Sequence, residues 1–307
     1  MTGVQTCALP IVVAGAAYGD NFHVHHVIIE DVDQLSKLQG SKYVQSDTEN
    51  IYREIKSYLQ QDRKVLFSGT PCQVSALNHY LKKDYANLLT VDLLCHGVPS
   101  NKMFRESLDY LGNGKCSIDR IVFRDKFKGW GTSGSRYIGN KRYPFDQTRS
   151  AYYYYYLADS LSRDSCYQCR FAAPKRAGDI TFGDYWKIET AHPEEFSRFD
   201  PTKGISCVMV NTEKGMMFFE EVEQLILSIH SEASLVEERN NRMRWCEPEP
   251  KLRLRIMQTY EENGWAGVNK LWQKTTLKKR IILIMKGLLP CKVKFWIKKS
   301  LNCRCKR

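Results

Sequence analysis

Residues 64–76 read KVLFSGTPCQVSA, and this stretch decides the fold that we expect for the rest of the chain. The short apolar run at residues 65–68 predicts a buried strand, which Gly69 ends. Residues 70–73 (TPCQ) then combine a threonine suited to the N-cap, a proline at the first helical position and a glutamine that completes a capping box. Cys72 is therefore expected in the first helical turn, where free N–H groups and the helix dipole favour a thiolate. Such a cysteine is suited to be a metal ligand or a nucleophile.

The same order of strand, cysteine and helix follows at residues 88–111. The apolar run 88–94 (LLTVDLL) predicts a strand that ends at Cys95, and Ser100 is expected to cap the next helix. Alternating strands and helices predict a parallel sheet. Ligands of such sheets gather at the carboxyl ends of the strands, where both Cys72 and Cys95 are expected to lie.

We therefore predict an α/β fold, with a mixed, largely parallel sheet sandwiched by helices and an additional helical C-terminal region. A hairpin at residues 12–29 adds an antiparallel pair, and a further strand is expected at residues 118–124. Of the five consecutive tyrosines at residues 152–156, part is expected in the core and part at the lining of a cleft. Residues 12–230 are expected to form the main domain, residues 231–274 a helical extension and residues 275–307 a basic amphipathic tail. Residues 1–11 (MTGVQTCALPI) lead abruptly into the first strand and are interpreted as a foreign or truncated start.

The composition indicates a cytoplasmic globular protein. Of the 307 residues, 43% are hydrophobic and 26% charged, and neither a membrane-spanning run nor a secretory signal is evident. Eleven cysteines are many for this length. Without a secretory signal, clustered cysteines more often bind metal than form disulfides.

The net charge of +12 is concentrated in the tail. Residues 275–307 contain eleven Lys or Arg and no acid, which leaves 35 basic and 34 acidic residues elsewhere. This balance does not indicate a nucleic-acid partner. The tail itself has two interpretations: a peripheral helix on an anionic membrane surface, or a terminal helix docked on the body with its lysines in water.

Four cysteines occupy settings suited to ligation: Cys72, Cys95, and the CxxC pair Cys166 and Cys169. An iron–sulfur cluster needs four thiolates with N–H donors nearby, which helix N-termini supply. A structural zinc site also takes four thiolates but usually comes from two short knuckles. The third interpretation is two buried core cysteines plus a pair, Cys166 and Cys169, that is prone to bind zinc or to form a disulfide. The residues alone favour the cluster and leave the other two open.

Other candidate ligands have ordinary interpretations. His23, His25 and His26 lie on the second predicted strand, where exposed histidines on a strand face are favoured over a metal site. Cys207 and Cys246 stand alone and are expected in the core.

Several motifs together resemble the coenzyme F-420 hydrogenase/dehydrogenase beta-subunit family over about residues 12–230. They are VLFSGTPCQVSAL (65–77), DLLCHGVPS (92–100), FRDKFKGWG (123–131), SCYQCRFAAPKRAGDITFGDYW (165–186) and KGISCVMVNTEKG (203–215).

The resemblance implies an electron-transfer module in which a flavin, FAD in the best-known members, lies beside a [4Fe-4S] cluster. Archaeal members exchange hydride with the deazaflavin coenzyme F-420, which is therefore a further candidate cofactor. The cluster ligands implied by the motifs are Cys72, Cys95, Cys166 and Cys169. The flavin contacts suggested are Ser68, Gly69, Thr70, Lys126, Gly183 and Asp184. Ordinary turn or salt-bridge roles are the alternative for each of these six.

The expected function is that of an iron–sulfur flavoprotein oxidoreductase, with a redox protein or ferredoxin as partner. The alternative is a non-catalytic module, stabilised by zinc or a cluster, in a membrane-associated or polysaccharide-biosynthesis complex. Family members commonly carry a glycine-rich segment before the first strand. Residues 1–11 stand in its place, so we expect part of the flavin site to be missing, and FAD binding is less securely implied than the cluster.

Overall fold

The computed structural model of the chain describes residues 11–111, 118–127, 129–238 and 240–288. The strands in these ranges are β1 (Val12–Tyr18), β2 (Val24–Ile29), β3 (Val65–Ser68), β4 (Leu88–Leu93), β5 (Arg120–Val122), β6 (Gly134–Ile138), β7 (Lys141–Phe145), β8 (Ile180–Asp184) and β9 (Ser206–Val210). The α-helices are α1 (Ile51–Gln60), α2 (Pro71–Leu81), α3 (Asn101–Leu111), α4 (Ala151–Leu157), α5 (Ile188–Ala191), α6 (Glu213–Glu223), α7 (Ala233–Glu237) and α8 (Lys251–Leu288).

The main sheet has six strands in the order β2-β1-β3-β4-β8-β9. The four inner strands are parallel to one another, whereas β2 and β9 are antiparallel edge strands. The predicted α/β fold with a mixed, largely parallel sheet is confirmed, and so is the hairpin that β1 and β2 form. Because β3, β4 and β8 are parallel neighbours, their carboxyl ends meet at one edge of the sheet, with β4 in the middle.

The stretch from β3 to α2 folds as its sequence predicts. The strand ends at Ser68 and the helix begins at Pro71. The side-chain oxygen of Gln73 accepts a hydrogen bond from the backbone N–H of Thr70 at 3.1 Å, which satisfies one of the donors at the start of the helix. The helix stops at Lys82, whose left-handed conformation (φ 61°) cannot continue it.

Helices α1 and α2 cover the face of the sheet that holds the first core. Ile55 and Leu77, one from each helix, are fully buried against Val65 and Phe67 of β3. Burying a side chain of this size contributes about 1.5–3 kcal/mol relative to exposing it. This packing fixes α2, and with it Cys72, relative to the end of β3.

A separate antiparallel sheet, in the order β5-β6-β7, was only partly predicted. The strand expected at residues 118–124 is the shorter β5, and strands β6 and β7 were missed. These two are joined by a tight turn in which Gly139 has φ 55°. A Gly-Asn dipeptide between strands is a hairpin signal. Gly134 lies under the ring of Phe145, where a Cβ atom would approach that ring to 2.5 Å.

The run of five tyrosines at residues 152–156 builds a second core with α3 and α8. Tyr152, Tyr153 and Tyr155 are nearly or completely buried. The hydroxyl of Tyr153 donates to the backbone carbonyl of Phe123 at 2.9 Å, so this buried polar group is satisfied. The prediction that part of the run is core is confirmed.

The C-terminal region is helical, as predicted, but α8 continues past the boundary expected after residue 274. Gly264, with φ 60°, interrupts the helix. Within the described ranges we find no helix with both the length and the hydropathy needed to span a membrane. The remainder of the basic tail, residues 289–307, lies outside the described residues, and its membrane contact stays a prediction.

Candidate functional site

The four predicted ligand cysteines come together at the carboxyl edge of the main sheet. Cys72 is in the first turn of α2, Cys95 follows β4, and Cys166 and Cys169 lie in the turn after α4. All four carry free thiols. Burial raises the pKa of the Cys95 thiol to about 12, and the other three sulfurs are close enough to raise that pKa electrostatically as well. Four thiols gathered in one place offer the ligand set of a metal ion or a metal cluster, because a bound cation favours the thiolate form.

Cys72 is exposed and contacts its own N-cap. The Thr70 hydroxyl lies 3.1 Å from the Cys72 sulfur. The side-chain amide of the next residue, Gln73, donates a hydrogen bond to the backbone carbonyl of Ser46 at 2.9 Å. This bond connects the first turn of α2 to the segment before α1. The turn is therefore held from two sides while the sulfur itself faces solvent.

Cys95 is held by the glycine that follows two residues later. The N–H of Gly97 points to the Cys95 sulfur at 3.4 Å and lowers the pKa of that thiol against the effect of burial. Gly97 has φ 101°, and a Cβ atom there would lie 2.3 Å from the hydroxyl oxygen of Ser162 and 3.4 Å from the Cβ of Cys166. Only glycine combines this backbone conformation with such a close approach. Gly97 thus brings the Cys95 loop against the CxxC turn.

The CxxC turn is supported by the Cys95 loop in return. The N–H of Arg163 donates to the Val98 carbonyl at 3.1 Å, and a short 3-10 helix, Asp164–Cys166, follows. Burial raises the pKa of Cys166, the backbone N–H of Val98 lowers it, and Cys169 and Cys72 raise it again. Cys246, expected in the core, is instead half-buried beside this turn, and its thiol donates to the Tyr167 carbonyl at 3.1 Å.

A buried ion pair, which no local sequence pattern indicates, anchors the segment after the CxxC turn. Arg176 lies 3.4 Å from Asp92 of β4, with the two side chains 2% and 0% exposed. The same guanidinium donates to the Leu93 carbonyl at 2.8 Å and to the Phe171 carbonyl at 3.0 Å. Arg176 therefore fastens the chain after Cys169 to the end of the strand that leads to Cys95.

The predicted contacts Ser68, Gly69 and Thr70 lie at the end of β3, beside Cys72. The Ser68 carbonyl is 3.1 Å from Nε2 of His26, and the Gly69 N–H donates to the Val91 carbonyl at 3.1 Å. His26 is only 6% exposed, so the expectation of an exposed histidine is wrong at this position. Its ring stacks on Phe67, which favours burial over solvent contact.

Gly183 and Asp184 lie at the end of β8, on the other side of β4. Gly183 allows close packing, because a Cβ atom there would lie 2.4 Å from a methyl carbon of Leu94. Asp184 accepts hydrogen bonds from Arg124 at 2.8 Å and from the Trp130 indole N–H at 3.2 Å. Both predicted residues thus lie one strand away from the strand that leads to Cys95, and the Asp184 carboxylate already has partners.

The ammonium of Lys126, the remaining predicted contact, donates to the Lys203 backbone carbonyl. The structure therefore gives Lys126 a loop-bridging hydrogen bond.

A group of charged side chains next to Cys95 was not predicted. Desolvation by the surrounding protein lowers the pKa of His96, and the positive charge of the nearby Arg242 lowers it as well. Arg242 is paired with Asp159 at 3.0 Å, while Trp130 stacks on Trp186 with a centroid separation of 4.7 Å. Arg242 and Asp159 are 83 residues apart, so no local pattern could have shown the pair.

The fold and the site define an α/β protein with four free thiols at the carboxyl edge of its sheet. The family model for the C terminus of the beta subunit of coenzyme F420 hydrogenase/dehydrogenase matches residues 62–233, and the chain belongs to this family. It is thus related to oxidoreductase subunits, and the resemblance seen in the sequence is confirmed.

Among solved structures, the chain is similar to a chain of the F420-reducing [NiFe] hydrogenase complex from Methanosarcina barkeri, with 15% sequence identity and a TM-score of 0.46. The similarity covers 75% of this chain and 77% of that one. No curated protein matches the sequence.

Proposed function

We propose that this chain is an iron–sulfur flavoprotein oxidoreductase module in which Cys72, Cys95, Cys166 and Cys169 hold a [4Fe-4S] cluster. The observation that carries the proposal is the convergence of these four thiols, drawn from three separate parts of the sequence, on one edge of the sheet. A [4Fe-4S] cluster takes four cysteine thiolates, and hydrogen bonds to sulfur tune its potential.

The spacing of the sulfurs favours a cluster over zinc. Four sulfurs around one tetrahedral zinc ion, at about 2.3 Å each, would lie about 3.8 Å apart. In the part of the chain that the structure describes, no three of the four sulfurs lie within 4.8 Å of one another. A cluster of several metal atoms needs this wider set, so the donor atoms fit it better than a single zinc ion.

The protein's own groups prepare the site for this cofactor. The backbone N–H of Gly97 points at the Cys95 sulfur. The backbone N–H of Val98 forms a hydrogen bond that lowers the pKa of the Cys166 thiol. Such donors offset negative charge on the thiolates. The cluster, when bound, supplies one-electron transfer, and a flavin supplies the exchange between one and two electrons.

The flavin part of the proposal rests on the residues at the ends of β3 and β8. Gly69 is at the first strand end and Asp184 at the second, and Cys95 follows the strand between them. A flavin bound across these ends would lie next to the cysteine site. FAD, or the deazaflavin F-420 as hydride carrier, is the proposed cofactor, and a ferredoxin or another redox protein in the cytoplasm is the proposed partner.

Replacing single cysteines tests the ligand set. Cys166→Ser should lower the iron content of anaerobically isolated protein, because a hydroxyl is a poor substitute for a thiolate ligand. Cys207→Ser is the matched control, since Cys207 is 4% exposed, packs in a hydrophobic core and is not one of the four proposed ligands. Equal iron in the Cys166 variant, the control and the unmodified protein would refute the ligand assignment.

A further inference from the structure

A second group of metal-ligating side chains lies away from the cysteines. One nitrogen of His23 and one carboxylate oxygen each of Asp47 and Glu49 all lie within 4.8 Å of one another. We propose that these three residues bind one divalent transition-metal ion, of the class that includes Zn²⁺ and Co²⁺. This inference does not rest on the proposed function of the cysteine site.

The backbone brings these residues together. His23 immediately precedes β2, and Asp47 belongs to the segment before α1. The two segments pair: the N–H of His26 donates to the Asp47 carbonyl at 2.7 Å, and the N–H of Asp47 donates to the Val24 carbonyl at 2.9 Å. The positions of His23 and Asp47 are thus set by main-chain hydrogen bonds, and Glu49 follows two residues later.

The donor atoms suit a borderline divalent metal. Nε2 of His23 lies 3.9 Å from a carboxylate oxygen of Asp47, which is too long for a direct hydrogen bond. Nitrogen and oxygen ligands at about 2.0–2.2 Å from a tetrahedral zinc ion are about 3.4 Å apart, so a small side-chain adjustment would close the site. An imidazole with two carboxylates is a ligand set of zinc and other first-row metals rather than of calcium.

The side chains remain accessible to an incoming ion. His23 is 33% and Asp47 52% exposed, which leaves coordination positions open to water. A second imidazole is close by, because the ring centroids of His23 and His25 are 5.7 Å apart. The backbone N–H of Glu49 donates a hydrogen bond to the other carboxylate oxygen of Asp47 at 3.1 Å and so orients this carboxylate. Carboxylates that bind metal ions are commonly oriented by such hydrogen bonds.

A metal ion here would join β2 to the segment that supports the cysteine turn. Ser46, next to Asp47, accepts the hydrogen bond from Gln73, the residue after Cys72. Its hydroxyl also lies 2.8 Å from Nδ1 of His26. Any ligand that binds only the folded chain stabilises it, so metal binding should raise the unfolding temperature.

Titration with Co²⁺ tests the proposal on the anaerobically isolated full chain. Co²⁺ on nitrogen and oxygen ligands shows only weak visible bands, whereas thiolate ligation adds intense charge-transfer absorption. We expect one ion per chain with the weak bands and a higher unfolding temperature. In His23→Gln and Glu49→Gln, we expect the dissociation constant to rise at least about tenfold, since even outer-sphere changes weaken metal sites by about 10–100-fold.

His79→Gln is the matched control, because His79 is an exposed histidine on α2, remote in sequence from the three ligands. It should bind Co²⁺ like the unmodified chain. Three outcomes would each overturn the proposal: absence of the weak bands, equal affinity in all variants, or bands of thiolate type alone. Spectra are taken as differences from the same sample before Co²⁺ is added, and the variants are compared at equal iron content, so that the state of the cysteine site is the same in every comparison.

Discussion

The buried histidine below the cysteine turn makes the stability of the protein depend on pH. His26 is 6% exposed, with Ser46 at one ring nitrogen and the Ser68 carbonyl at the other. Burial lowers its pKa from 6.5 to about 4, although hydrogen bonds with the backbone of Ser68 and Asp47 oppose the shift. His25 lies near enough to lower it further.

The sign and size of the effect follow from proton linkage. Because the pKa is lower in the folded state, the unfolded chain binds the proton more readily between pH 6.5 and 4. The stability contributed by neutral His26 is therefore complete above pH 6.5 and is lost as the pH falls towards 4. A shift of this size corresponds to about 3 kcal/mol over the whole window, and to about 2 kcal/mol between pH 7 and pH 5.

Urea unfolding at pH 7 and pH 5 measures the effect. The unmodified protein should lose about 2 kcal/mol more stability than His26→Gln when the pH is lowered, since glutamine does not titrate in this range. Comparing the two pH values within each variant removes any change in stability caused by the substitution itself. His79→Gln should retain the full loss. Equal losses in the unmodified chain and His26→Gln, or an NMR titration of His26 near pH 6.5, would refute the reasoning.

Two further substitutions test the packing that holds the cysteines. Arg176→Met leaves the carboxylate of Asp92 buried without its charged partner and should lower the free energy of unfolding in urea by about 3–5 kcal/mol. A decrease of less than about 1 kcal/mol would contradict the role assigned to the pair. Gly97→Ala should cost about 1–3 kcal/mol from its φ of 101° alone, and more because the new methyl meets Ser162. Gly131→Ala, where a Cβ atom meets nothing within 4 Å, should be close to neutral, and similar values for the two alanine variants would refute the steric account of Gly97.

The elements that the sequence predicted well are those whose signals are local. The apolar run before Gly69 and the helix-starting residues after it define β3 and α2 without reference to the rest of the chain. The same holds for β4 and for α3, where the Ser100 hydroxyl accepts from the N–H of Met103 at 3.1 Å, as expected of a cap. Four strand and helix ends could therefore be located, and with them two of the cysteines.

What the sequence could not show depends on contacts between distant residues. The ion pairs that join Arg176 to Asp92 and Arg124 to Asp184 link residues 84 and 60 positions apart. His26 was expected to be exposed because the histidines of this strand were interpreted as lying on a solvent-facing strand face. In the structure, the segment 44–47 and the ring of Phe67 cover it. Strands β6 and β7 were missed because residues 134–145 are polar and carry no continuous apolar run.

The most direct test of the central claim is the metal and sulfide content of the chain isolated without oxygen. The account predicts a brown protein with about four iron and four acid-labile sulfide per chain, which is the composition of one [4Fe-4S] cluster. A colourless protein that carries stoichiometric zinc on the four cysteines and no sulfide would contradict it.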